Sequence, residues 1–273
     1  MKNDPSRLAR YDAFNEGAAA VANTLMGLLR QHGRPGEVTH TIAHLLNRIT
    51  RSISSLTLMF RRNGNDAELD GASILRTIYD AHLQILYILQ DPEPRAKLYA
   101  DFFNVEWHKF REMIDRRPEG LFKLVAQSPN RAKTEPTNDA NFRRVEAAYR
   151  RPDGSYRQNW YVGTPRDVAR KVGYEGEFLV LSRLLNPIVH SSAFGLFSPT
   201  QMNGDGMVSL AWDLLFRCIG KTLEYEGVMP KVGVDIATNV VQPTYKPMFE
   251  LDDATLKRYR QEASSDDQTP RVE

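Results

Sequence analysis

The chain has 273 residues, of which 41% are hydrophobic and 26% charged. This balance excludes a wholly disordered polypeptide and permits one large domain or two smaller ones. Its 36 basic residues against 34 acidic ones leave a formal charge of +2, so only a local basic patch, not the global charge, could argue for nucleic acid.

Cys218 is the single cysteine. That excludes an intrachain disulfide and a cysteine cluster for metal, and it suits a reducing compartment. No stretch reaches the roughly 18 apolar residues of a spanning helix, and the N-terminus lacks the apolar core of a signal peptide. A cytoplasmic chain with no membrane contact is therefore expected.

The first helix is predicted from Pro5 to Arg30, where Leu8, Phe14, Ala18, Val21, Leu25 and Leu28 recur at helical spacing. His32, Gly33, Arg34, Pro35 and Gly36 end it. The second runs from Val38 to Arg61 on the stripe Val38, Ile42, Leu45, Ile49, Ile53, Leu56 and Phe60. Its polar side carries His40 and His44, read as a surface pair because no metalloprotease pattern joins them, with metal ligation or catalysis as the alternative. The third is placed from Gly71 to Gln90 with Asp70 as N-cap. It is apolar on nearly every face, which suits the middle of a bundle.

Asp91, Pro92, Glu93 and Pro94 break the chain, and a fourth helix follows from Arg95 to Arg116 with Leu98, Phe102, Val105, Phe110, Met113 and Ile114 as its apolar set. Glu106 and His108 on it are two apart, the wrong spacing for helix-borne metal ligands. From 118 to 165 the periodicity fades. A short helix at Asn141 to Tyr149 within an irregular loop excursion is expected there. A fifth helix is read from Gly173 to Ser192 and a sixth from Gly206 to Tyr225. Short extended pieces at Asn239 to Pro243 and Lys246 to Phe249 come next, then a disordered tail over 264–273. The expected fold is all-α: an antiparallel bundle of about six main helices in a single domain over 1–263.

Glycine-rich nucleotide loops, nucleophile elbows, zinc fingers and calcium loops are absent from the sequence. Chemistry must be sought in polar residues set within apolar helix. Arg76 and Asp80 are four apart and stack on one face of the third helix, with Tyr87 two turns beyond. They read as a structural ion pair or as the polar floor of a pocket. In the fifth helix Ser182, Asn186 and His190 recur every four residues and Arg183 precedes His190 by two turns. An imidazole there could serve as general acid or base and the guanidinium could hold an oxyanion, or the set could pin a packed helix. Pro187 can bend this helix beside His190.

The stretch RTIYDAHLQILYIL, the following helix around Tyr99 and the later YEGEFLVLSRLLNPIVHSS together resemble the bacterial DUF5677 family, whose function is unassigned. The resemblance spans roughly Ser52 to Ser192 and carries over Arg76, Asp80, Ser182 and His190. A looser likeness joins Arg183 and His190 to the Arg-x4–6-His motif of HEPN-type helical ribonucleases, which typically dimerise. Leu184 stands where those proteins have a polar residue. That likeness would imply metal-independent RNA cleavage, with Arg183 on the scissile phosphate and His190 moving the proton. Arg76 would add charge, Asp80 would orient it, Arg48, Arg51, Arg61 and Arg62 would track the backbone, and Trp160 or Tyr161 would stack a base.

Three readings stay open. The first is a helical protein-interaction or regulatory module with a protein partner or a second copy of itself. The second is the HEPN-like endoribonuclease. The third is a small-molecule or metal-dependent enzyme with its pocket near Arg76, Asp80 and His190, where Tyr87, Tyr99, Ser182, Asn186 and Trp160 would contact substrate. Neither a resident metal nor a cofactor is assigned.

Overall fold

The computed structural model describes residues 5–32, 36–116, 119–120, 129–189 and 203–227. Among them are eight α-helices: α1 (Pro5–His32), α2 (Glu37–Asn63), α3 (Glu68–Gln90), α4 (Pro92–Arg116), α5 (Pro129–Tyr149), α6 (Pro165–Lys171), α7 (Glu175–Val189) and α8 (Gly204–Glu226). A 3-10 turn, Gly64–Ala67, joins α2 to α3. The described residues contain no strand beyond an isolated antiparallel bridge between Arg150 and Tyr156, so the protein is all-α. None of the described helices is long and apolar enough to cross a membrane. The expected tail over 264–273 and the extended pieces at 239–243 and 246–249 lie outside the described residues.

The chain divides into two compact units, the first formed by Met1–Gln90 with Pro165–Glu273 and the second by Asp91–Thr164. In the first, α3 is the central element and packs against α2, α6, α7 and α8, while α2 also meets α1 and α8. The all-round apolarity of α3 explains this position. Leu75, Ile78, Ala81, Leu83, Ile85 and Ile88 are all buried, and along the middle of the helix they leave only a narrow, partly exposed stripe through Ser73, Arg76, Thr77, Asp80 and Gln84. In contrast α2 is two-sided: Ile42, Leu45, Ile49, Ile53 and Leu56 are fully buried, and His40, His44, Arg48 and Arg51 lie exposed on the opposite side.

Phe60, at the end of the α2 stripe, enters a slot that only glycine allows. A Cβ at Gly71 would lie 2.5 Å from Phe60 Cζ, and one at Gly204 would lie 2.7 Å from Phe60 Cδ1. Polar ties close the same unit. Tyr11 donates to Asp205 (2.6 Å), Arg61 donates twice to Asp12, and Thr39 donates to Glu226 (2.6 Å). Asn203 caps α8 by accepting from the Gly206 amide at 2.8 Å. α3 starts at Glu68, earlier than expected, so Asp70 is not its N-cap. It sits in the first turn with Glu68, where a carboxylate complements the helix dipole.

The second unit pairs α4 with α5. Tyr149 lies against Phe102 and donates to the Leu98 carbonyl at 2.6 Å, Arg144 reaches Asp101 at 3.0 Å, and Arg111 pairs with Asp139. The segment 118–165, expected to be irregular but for a short helix at Asn141–Tyr149, carries the full α5. Among the residues whose burial is described, its buried row is Phe142, Val145 and Tyr149, and the first-half sequence PNRAKTEPTN has no apolar periodicity, so the sequence pattern marked the second half alone. On α4, Phe110 and Met113 prove to be exposed, as is Phe103.

Candidate functional site

An assembly of polar and titratable groups in the first unit lies where α3, α7 and α8 meet. Arg76, Tyr79, Asp80 and His82 come from α3, Glu177 and Phe178 from α7, and Arg217 and Cys218 from α8. Arg76 and Asp80 pair at 3.0 Å, with Arg76 retaining 14% and Asp80 42% of its side-chain exposure. The pair therefore sits at the edge of the core, with Arg76 mostly buried and Asp80 partly in water. The Arg76 guanidinium also covers the Phe178 ring at 5.5 Å, so α3 and α7 share a cation–π contact. Loss of surrounding water raises the Asp80 carboxyl above its ordinary range, against the pull of Arg76 and, from α2, Arg48.

One turn deeper, Tyr79 stacks between His82 and Phe178 at centroid distances of 6.1 and 6.5 Å. His82 is fully buried, with Nδ1 at 3.2 Å from Cys218 Sγ and its ring against the edge-on Tyr174. Burial, then the nearby Arg217, lowers the imidazole from 6.5 to about 4, with the Leu214 backbone working in the other direction. Burial likewise pushes the Cys218 thiol up. An imidazole beside a thiol has the layout of a nucleophilic dyad, but these shifts hold both partners neutral, so no thiolate–imidazolium pair forms. Burial also raises the Tyr79 hydroxyl, and the Glu177 charge adds to the effect.

Arg217 joins the helices. It donates to Glu177 at 2.7 Å, pairs with Asp213 one turn back on α8, and lies 5.3 Å over the Tyr174 ring. Four buried atoms of this cluster lack a protein hydrogen-bond partner among the described residues: Arg76 Nη1, Tyr79 Oη, His82 Nε2 and Glu177 Oε1. Buried polar atoms left in that state are uncommon and call for an explanation.

Tyr174 connects this interior to the surface. Gly173 precedes it with φ 86, a left-handed conformation that glycine adopts without strain, and the Tyr174 amide returns to the Ala169 carbonyl at 2.8 Å. α7 thus starts at Glu175, and Gly173, read from sequence as its first residue, is the turn before it. Tyr174 forms one wall of a cleft of roughly 570 Å³ whose lining also includes Leu86, Leu89, Gln90, Lys221 and Tyr225. Gln90 donates to the Lys171 carbonyl at 2.6 Å beside it.

The residues singled out from sequence distribute as follows. Arg76 and Asp80 are together as expected. Tyr87, farther along α3, is buried with the Lys171 ammonium 5.6 Å over its ring. On α7, Ser182 donates to the Leu179 carbonyl of its own helix at 3.3 Å, and Arg183 is exposed. The side chain of Asn186 and the whole of His190 lie outside the described residues. Tyr99 and Trp160 belong to the second unit, where their rings meet edge to face at 5.4 Å.

That unit has an aromatic stack of its own: His108 lies 3.7 Å from Phe142, nearly parallel, with Tyr156 edge-on. His40 and His44 are exposed on α2, and Arg61 is engaged by Asp12. No group of three or more His, Cys, Asp or Glu among the described residues is arranged to hold a metal ion. Sequence reasoning passed over Tyr79, His82, Glu177 and Arg217. The available signal was His82 and Tyr79 one turn apart within an otherwise apolar helix.

Residues 39–207 match DUF5677, a family of unknown function, and the chain belongs to that family. The match extends the resemblance beyond Ser52 and Ser192 at both ends. No curated protein and no solved structure matches the chain.

Proposed function

We propose that this member of the DUF5677 family is a helical binding module, regulatory rather than metabolic in role, which takes a small ligand with a flat apolar body into the cleft between α3 and α8. The observation that carries this reading is the cleft lining. Leu86 and Leu89 supply an aliphatic floor, Tyr174 and Tyr225 supply aromatic walls, and Gln90, Lys221 and Glu224 supply polar groups. A volume of roughly 570 Å³, lined about equally by apolar and polar surface, suits a small molecule with an apolar body and a polar group. Tyr174 makes the site responsive, because it touches both His82 and Arg217. A ligand stacked on Tyr174 would act on the Arg217–Glu177 pair that ties α8 to α7.

The test uses 8-anilinonaphthalene-1-sulfonate, a flat apolar body with one anionic group. The native protein is expected to bind it and to gain about 2.7 kcal/mol of stability when the probe is at about 100 times its dissociation constant. Leu89→Trp fills the cleft and is expected to abolish both effects. Equal responses from wild type and variant, or no response from either, would refute the reading.

A second reading, a small-molecule enzyme acting at Arg76 and Asp80, draws support from the unpartnered Arg76 Nη1, Tyr79 Oη and Glu177 Oε1. A substrate that accepts from Arg76 and donates to Glu177 would satisfy them. Turnover of a small-molecule panel that disappears in Arg76→Met, in protein that remains folded, would favour this reading over the binding module.

A further inference from the structure

The outer face of α2 carries three arginines in line with two histidines. His40, His44, Arg48, Arg51 and Arg62 are all exposed and fall along one side of the helix at spacings of three, four or multiples of a turn. At 1.5 Å per residue the line is roughly 33 Å long. Leu58 is the one large apolar residue on it, and Glu37, in the first turn, stands at its start. Among the described residues no carboxylate forms an ion pair with Arg48, Arg51 or Arg62. Arg48 lies within electrostatic reach of Asp80, but Arg76 already engages that carboxylate. Arg61, on the flank, is neutralised by Asp12 and drops out of the set.

We infer that this face of α2 binds the phosphate backbone of a nucleic-acid duplex, without reading its sequence. Three arginine forks on one helix face match phosphate oxygens in charge and geometry. A protein partner would call for an apolar or aromatic centre to the interface, and this line has only Leu58. A membrane surface would call for an apolar face beside the basic one, and the opposite side of α2 is committed to the core. Unpaired strands would call for exposed aromatic rings to stack their bases, and the line has none. The face shares no residue with the α3–α8 cleft, so it stands independently of the ligand proposed there.

Fluorescence anisotropy with a labelled RNA duplex, a DNA duplex of the same length, anionic vesicles and poly-glutamate tests the assignment on the full chain. With three phosphates neutralised, affinity for a duplex should fall about 40-fold between about 50 and about 200 mM salt. Each single Arg→Gln change at 48, 51 or 62 should cut that salt factor to about 12-fold. The triple variant should lose at least about tenfold in affinity at low salt, whereas Arg143→Gln with Arg151→Gln, on the second unit, should leave binding unchanged. Binding to only one of the two duplexes identifies the natural source of the phosphates. The inference is overturned if wild type binds neither duplex at low salt, or if the triple variant keeps the wild-type salt dependence. It also fails if both variant sets weaken binding alike, or if vesicles or poly-glutamate bind through these arginines while duplexes do not.

Discussion

Acidification should loosen the junction of α3 and α8 through His82. The imidazole is fully buried against Cys218, Tyr79 and Tyr174, and its pKa is lowered from 6.5 to about 4. Below pH 6.5 the unfolded chain takes up a proton at this position, and the folded chain does not until the pH approaches 4. The unfolded state therefore binds more protons throughout that window, so stability is fully present above 6.5 and declines as the pH falls toward 4. A shift of about 2.5 pH units at about 1.4 kcal/mol per unit is worth about 3 kcal/mol. That is a large part of the stability of an ordinary domain.

Urea unfolding of wild type and His82→Gln across this window measures the effect. The glutamine variant is neutral at every pH, so its stability should fall less steeply, and the difference between the two curves isolates His82. Asp80 acts in the opposite sense: its raised carboxyl is protonated first in the folded state, a contribution that grows more favourable as the pH falls and is common to both proteins. Parallel curves for wild type and His82→Gln would refute the claim that burial keeps His82 neutral.

The slot around Phe60 makes a second case. Gly71→Ala would bring a Cβ to 2.5 Å from Phe60 Cζ and 3.2 Å from Met207 Sδ and should cost about 1–3 kcal/mol by overpacking; an unchanged melting temperature would show that the ring has room to move. Cys218 is fully buried with its thiol pushed up. Its reaction with Ellman's reagent should therefore follow global unfolding, and rapid labelling of the native protein would contradict the burial.

Much of the scaffold was legible in the sequence because helical periodicity is a local property. The stripe from Val38 to Phe60 identified α2 and its buried face. The all-round apolarity of α3 identified the central helix, and the spacing of Arg76 and Asp80 was enough to pair them, since both lie on one helix. α5 was only half legible, because its first half carries no apolar row and nothing in that stretch distinguishes it from a polar loop. Asp70 was misplaced by a cap rule that could not see the helix starting at Glu68.

The candidate site itself depended on tertiary structure. His82 and Cys218 are 136 residues apart in the chain, Tyr79 and Glu177 come from different helices, and Tyr174 precedes a helix whose start is set by the Gly173 turn. By itself the sequence determined the long, strongly periodic helices and the buried face of α2, but not the first half of α5 or the exposure of Phe110 and Met113 on α4. Tertiary packing decided which polar groups on those helices meet and lose water, since that depends on how helices distant in sequence lie against one another.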